Sequence, residues 1–205
     1  TDITTRINWD RDNLLAVRVS AEYDPLTPPG KPQAGMDFYY YSGIYRDVEM
    51  VISDPLHITH ALEEEEVAGG GIFVTYPVVG KEKAVTHVKA HVRNEGKRKR
   101  KAQLRTQLID KSGKIVACQL TPFRLSADEA IHLEQNLEIV HPSLWHPYDP
   151  NLYTLQNEIV ENGKVVDCHT ESIGIRTIAY TRDGGFYING ESLYLRGANR
   201  HQAFA

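Results

Sequence analysis

Wherever this 205-residue chain is periodic, apolar and polar residues alternate with a period of two, as in "LLAVRVS" (14–20), "YRDVEMVIS" (45–53) and "THVKAHVRN" (86–94). Successive side chains of a strand point to opposite faces, so such segments bury one face and wet the other, whereas a surface helix needs a period near 3.6. Turn signals cut the chain at short intervals: Asn94-Glu95-Gly96, Lys111-Ser112-Gly113, Asn162-Gly163 and Asp183-Gly184-Gly185, with prolines at 55, 77, 122, 142 and 147. From about Pro55 to Arg182 this spacing predicts a seven-stranded immunoglobulin-like β-sandwich, and the fold class is mainly β.

The two ends differ from this middle. The first 54 residues hold two strand patterns joined by a Pro- and Tyr-rich stretch, "DPLTPPGKPQAGMDFYYYSG" (24–43), which is too little to close a sandwich, because a pair of strands with an apolar face needs more strands against it. At the other end "GGFYINGESLYLRGANR" reads as a hairpin around Asn189-Gly190 whose second strand runs into Arg196-Gly197 and then Asn199, Arg200 and His201. Both ends read as parts of domains that continue beyond this chain. The expected division is 1–54, 55–182 and 183–205.

Several function classes are disfavoured. The formal charge of −4 gives no global field to gather nucleic acid, and no apolar stretch approaches the length of a membrane span. The run "KRKRK" (97–101) follows a turn between strands, lacks interleaved aromatics and reads as a solvated hairpin; "EEEE" (63–66) reads as a charged surface run. Two cysteines, Cys118 and Cys168, fall at the same offset after Gly turns in "SGKIVACQL" and "NGKVVDCHT" and are read as small apolar strand residues, with a bridge left open. His87 and His91 share a strand face about 13 Å apart, too far for one ion. Trp145 and Tyr153 are read as sandwich core. The N-terminus shows no charged start followed by an apolar core, though a leader removed earlier is compatible with this, so the compartment stays open.

The run "GGFYINGESLYLRGANRH" (184–201) resembles the segment that opens the catalytic barrel of glycoside hydrolase family 2, the family of β-galactosidases, β-glucuronidases and β-mannosidases. Two further stretches resemble that family in the same order. "LWHPYDPNLYTLQNEIVENGKVVDCHTESIGIRTI" (144–178) is similar to the closing half of its immunoglobulin-like second domain, with Leu-Trp, Pro-x-Leu-Tyr and Gly-x-Arg; "MDFYYYSGIYRDVEM" (36–50) is similar to the end of its jelly-roll first domain. The spacing of Asp37 to Ser42-Gly43-Ile44-Tyr45-Arg46-Asp47, with Asn199-Arg200-His201, resembles the β-galactosidase branch; β-glucuronidases tend to carry lysine where Arg200 stands.

The resemblance implies partial jelly-roll strands, a whole immunoglobulin-like sandwich and the first β-hairpin of a (β/α)8 barrel. It implies a parent that is a retaining β-galactosidase using two glutamates roughly 5 Å apart, both outside this chain, which is then expected to be inactive by itself. Asn94-Glu95 mimics the family's acid/base pair but lies in a turn of the sandwich. The positions matching family site residues are Asp37, Asn199, Arg200 and His201: His201 lining the sugar pocket, Arg200 placing a fixed charge near the carboxylates, and Asp37 accepting sugar hydroxyls and helping to hold sodium. Arg200 and Asn199 also suit a plainer role, fastening barrel to sandwich. The implied metals are Na+ and, in the parent, Mg2+; the implied partner is a β-galactoside, without nucleic acid or membrane, in a homo-oligomeric parent of bacterial cytoplasm or periplasm. A β-glucuronidase or β-mannosidase of the same family, a stand-alone carbohydrate-binding sandwich and a structural module remain alternatives at this point.

Overall fold

A computed structural model describes residues 2–200 except 21, 29, 37–42, 45, 63, 65–68 and 183. The chain forms two compact units, Ile52–Leu195 and Thr1–Val51 together with Arg196–Ala205.

The larger unit is mainly β. Its first sheet contains β1 (Leu56–Ile58), β2 (Ile72–Val79), β3 (Lys83–Asn94) and β6 (Glu129–Val140). β3 is central: β6 pairs antiparallel along its whole length, from Lys83↔Val140 to Asn94↔Glu129, while β1 and β2 share its other edge. The second sheet comprises β4 (Arg100–Ile109), β5 (Ile115–Leu125), β9 (Tyr153–Glu161) and β10 (Lys164–Ile173), in the order β10-β9-β4-β5. Counting β1 and β2 as one split edge strand, this is the expected seven-stranded sandwich. Two small additions stand outside these sheets: a tight pair between β6 and β9, formed by β7 (Trp145–His146) and β8 (Asp149–Pro150), and, after β10, a three-stranded sheet of β11 (Ile178–Thr181), β12 (Gly185–Ile188) and β13 (Glu191–Ser192).

The alternation seen in the sequence explains the layers. The even-numbered residues of β3 point inward: Ala84, Val88, Ala90 and Val92 are wholly buried. Ala90 and Val92 pack in one cluster with Leu104 and Ile159; Ala84 and Val88 pack in a second with Leu108, Tyr153 and Leu155, and Ile72 lies against both. Some of the polar side chains in this core are paired across it, while Thr86 Oγ1, Gln135 Oε1 and Asn157 Nδ2 lack a partner among the described residues. Thr106 Oγ1 donates to Asn157 Oδ1 at 2.8 Å, and Gln135 of β6 donates through Nε2 to Leu104 O and Thr121 Oγ1 at 3.1 and 2.8 Å, linking the two sheets. Asn162-Gly163, both at positive φ (51° and 77°), turns β9 into β10 by the two-residue hairpin its sequence predicts.

Four expectations are corrected. Residues 14–20 and the described part of 45–53 form no ladder, and Leu14, Leu15, Val17 and Val19 are all exposed. Alternation shows which face seeks burial, but a strand also needs a backbone partner, and among the described residues of Thr1–Val51 none pairs with them. The connection 95–99 is not a hairpin: β3 and β4 lie in different sheets, so it crosses between layers. Of the acidic run, the described member Glu64 is not a solvated charge, since Arg93 donates to its Oε2 at 2.7 Å. Cys118 and Cys168 are free and exposed on β5 and β10, the outer strands of the second sheet, so they are not apolar filling. Three inter-strand spacings separate those strands, about 14 Å, which excludes a bridge.

His87 and His91 lie on one strand as read, and the register adds a partner from β6: His91 stands opposite His132, ring centroids 4.5 Å apart. His91 is nearly buried, with Nδ1 at 2.9 Å from Thr59 Oγ1. Among the described residues no group of three or more His, Cys, Asp or Glu converges as a metal site, and no helix is long and apolar enough to cross a membrane.

Candidate functional site

The three motifs of the sandwich's closing half meet at one end of the larger unit. Trp145 enters through Leu144 and is held by its backbone N–H, which donates to Ile175 O at 2.9 Å. Its ring lies flat against Gly174: a β-carbon on that residue would stand 2.8 Å from Cβ, Cγ and Cδ1 of Trp145, a separation that real carbons do not adopt. Glycine is required there for space. Arg176 then folds over the same ring, its guanidinium carbon 4.9 Å from the centroid, and donates through Nη1 to Gly174 O at 2.8 Å. The Gly-x-Arg spacing therefore has a mechanical reason: the glycine admits the indole, Ile175 is wholly buried in the core, and the arginine caps the ring. Tyr153 closes the other side of the motif, buried, with its hydroxyl accepting from Ser143 N at 2.8 Å.

The side chain of Asn189 helps to fasten the β11–β13 sheet onto this end. Asn189, in the left-handed turn with Gly190, accepts through Oδ1 from Thr177 N at 3.0 Å and donates through Nδ2 to Trp145 O at 3.0 Å. The carboxamide thus ties the hairpin before the polar cluster to the indole's backbone. Nothing in the local sequence distinguishes this asparagine from an ordinary Asn-Gly turn residue; only its reach to Trp145 does. Arg176→Ala removes the cation–π contact and a hydrogen bond, and is expected to destabilise the larger unit by about 1–2 kcal/mol, read from the urea midpoint followed by Trp145 fluorescence.

Of the four residues singled out in the sequence, Asn199 and Arg200 are described. Asn199 and Arg200 are exposed, outside any strand, and group with the smaller unit. Asp37 and His201, as well as Tyr39, Tyr40 and Tyr41, lie outside the described residues. Asn94 is wholly buried; its Nδ2 donates to Arg98 O and Ser126 O at 2.9 and 2.8 Å, with a longer contact to Leu125 O, and its Oδ1 accepts from Gly96 N at 3.1 Å. It pins the crossover between the sheets, and the exposed Glu95 is a loop residue.

Beside that crossover is a feature the sequence reading passed over. An open cleft of about 500 Å³ is bounded by Gly96, Lys97, Arg98, Lys99, Arg100 and Glu161. Arg100 is committed inside it: Nε and Nη2 donate to the two carboxylate oxygens of Glu161 at 2.6 and 2.7 Å, and Nη1 lies 3.2 Å from Asp54. The fork on Glu161, ahead of the opposing effect of burial and the nearby charge of Asp54, raises the Arg100 pKa above its ordinary value.

Comparison with known proteins accounts for the motifs. The model for glycosyl hydrolases family 2 matches residues 70–176, more than half of the chain. A beta-galactosidase of Thermoanaerobacter pseudethanolicus is 32% identical over 99% of this chain and 25% of its own length, and a beta-glucuronidase of Formosa agariphila is 28% identical over 96% of this chain and 20% of its own. The solved structure of Bacteroides uniformis beta-glucuronidase 2, 26% identical, superposes with a TM-score of 0.80 over 98% of this chain and 23% of that one. The chain therefore spans about a quarter or less of the length of these relatives, and with more than half of its residues matched by the family model it belongs to the glycosyl hydrolases family 2.

Proposed function

We propose that this chain is the non-catalytic leading part of a retaining β-galactosidase that hydrolyses terminal non-reducing β-D-galactosyl residues. The observation that carries this reading is the alignment of nearly the whole chain with a quarter of a beta-galactosidase, in register with the family's domain model. In it, residues 1–54 end a sugar-binding jelly roll, 55–182 are the immunoglobulin-like spacer and 183–205 begin the barrel. The polar cluster then stands at the C-terminal end of the first barrel strand, the place where that architecture gathers its site because the barrel interior is packed.

The roles follow from the chemistry of the side chains. His201 hydrogen-bonds the glycosyl group, Arg200 supplies a fixed positive charge that keeps neighbouring carboxylates ionised, Asn199 offers both a donor and an acceptor, and Asp37 accepts from sugar hydroxyls and contributes an oxygen to a sodium ion. The nucleophile, the acid/base and any magnesium ligands belong to the remainder of the barrel. A homo-oligomeric parent in bacterial cytoplasm or periplasm completes the proposal. The similarity to a beta-glucuronidase favours a second reading, a parent acting on β-glucuronides. Discrimination between sugars of this kind rests on particular hydrogen bonds and is large where they are missing.

Two assays test this. The 205-residue chain with a chromogenic β-galactoside is expected to release nothing above buffer; turnover abolished by mutating one of its own residues would overturn its non-catalytic role. The full reading frame with the galactoside and the matching glucuronide in parallel is expected to favour the galactoside, and preference for the glucuronide would establish the second reading.

A further inference from the structure

We propose that the cleft at the crossover between the two sheets binds an acidic saccharide through the carboxylate or sulfate groups of the sugar. Four consecutive cationic side chains, Lys97 to Arg100, line it in a chain whose formal charge is −4. Of these, Arg100 is neutralised by Glu161 and Asp54. Among the described residues Lys97, Arg98 and Lys99 are exposed and form no ion pair, although the charge of Glu129 is felt at Lys99, so three cations outside any ion pair line the cleft. Crowded like charges repel and normally lower stability, and a polyanion in the cleft relieves that repulsion.

The cleft is held in shape before any ligand arrives. Wholly buried Asn94 fixes the loop by bonds to Arg98 O and Gly96 N, and Glu95 N donates to Pro55 O at 2.8 Å, anchoring the opposite wall. A loop pinned at three backbone positions loses little freedom on binding. Its volume, about 500 Å³, lies within the range that small-ligand sites occupy. Two features favour a saccharide over a nucleic acid. Among the described residues no aromatic side chain lines the cleft, so they offer no platform on which bases would stack. The Arg100–Glu161 fork places carboxylate oxygens with unused lone pairs on the wall, where they accept from sugar hydroxyls, while a phosphodiester has none to offer them.

The inference goes beyond the glycosidase reading and stands on the cleft alone, so its failure leaves that reading untouched. The test is isothermal titration of the 205-residue chain, at low and at high salt, with tetragalacturonate, a heparin hexasaccharide, a neutral galacto-tetraose and a single-stranded oligonucleotide of matched charge. Expected are binding of at least one acidic saccharide, weakening with salt, and none of the neutral one; tetragalacturonate assigns the carboxylate, and binding of heparin alone assigns the sulfate. The triple variant Lys97→Ala, Arg98→Ala, Lys99→Ala is expected to lose affinity by about tenfold or more, and the single Lys97→Glu to lose part of it. Lys111→Ala with Lys114→Ala, in the β4–β5 turn, is expected to change nothing. The proposal is overturned if neither acidic saccharide binds, if the neutral one binds as tightly, if the oligonucleotide binds more tightly than both acids, or if the folded triple variant keeps its affinity within twofold.

Discussion

Gly174→Ala is expected to destabilise the larger unit by about 2–3 kcal/mol, lowering its melting temperature by roughly 5–10 °C, although it adds a single methyl group. The new carbon would meet three atoms of Trp145 at 2.8 Å, so either the indole or the backbone must move. The indole is not free to do so: Arg176 stacks on the ring, and the residue's backbone oxygen and nitrogen are engaged by Asn189 and Ile175. The consequence reaches the β11–β13 sheet, which Asn189 helps to fasten through Trp145 O, so amide exchange at 178–192 should accelerate with the loss of stability. Gly174→Ala combined with Trp145→Ala should cost less than the sum of the two singles, because removing the ring removes the clash. Strict additivity would show that Gly174 is needed for something other than space.

Asn94→Ala is the second large effect, about 2–4 kcal/mol. It strips donors from Arg98 O and Ser126 O and the acceptor from Gly96 N, and these groups sit where Asn94 itself has no exposure. Glu95→Gln should stay within about 0.5 kcal/mol, since that side chain faces solvent. The contrast separates two meanings of an Asn-Glu pair. A catalytic pair would lose activity at the glutamate and little stability at either residue; a structural asparagine followed by a loop glutamate shows the reverse. Urea unfolding of both variants distinguishes the two.

The parts of the fold that sequence makes legible are those where one physical cause decides the outcome. β3 is read correctly because its alternation and its burial agree residue by residue from Ala84 to Ala90, although His91, on the outer face, is buried as well. Asn162-Gly163 and Asn189-Gly190 are read correctly because two successive positive φ values leave few other residue choices. Residues 14–20 carry the same alternation but no ladder, because periodicity reports one face's preference and is silent about whether a pairing edge is available. Lys97–Lys101 looked like a hairpin because a turn between two strands has the same local sequence whether those strands pair or part company; here β3 and β4 join different sheets, and the cations gather at a cleft. Asn189 was legible as a turn residue but not as the link to Trp145, which lies 44 residues away. The family motifs were legible as a pattern, while their cause, an indole pressed on a glycine under an arginine, required coordinates.

The reading of the polar cluster is tested most directly by the kcat/KM of the full-length protein on a chromogenic β-galactoside, before and after His201→Ala. Loss of one donor to a group that distorts in the transition state should lower it by about two orders of magnitude, with most of the loss in kcat. Activity within twofold of the unaltered protein would remove His201 from the sugar pocket and contradict the placement of residues 199–201 at its mouth.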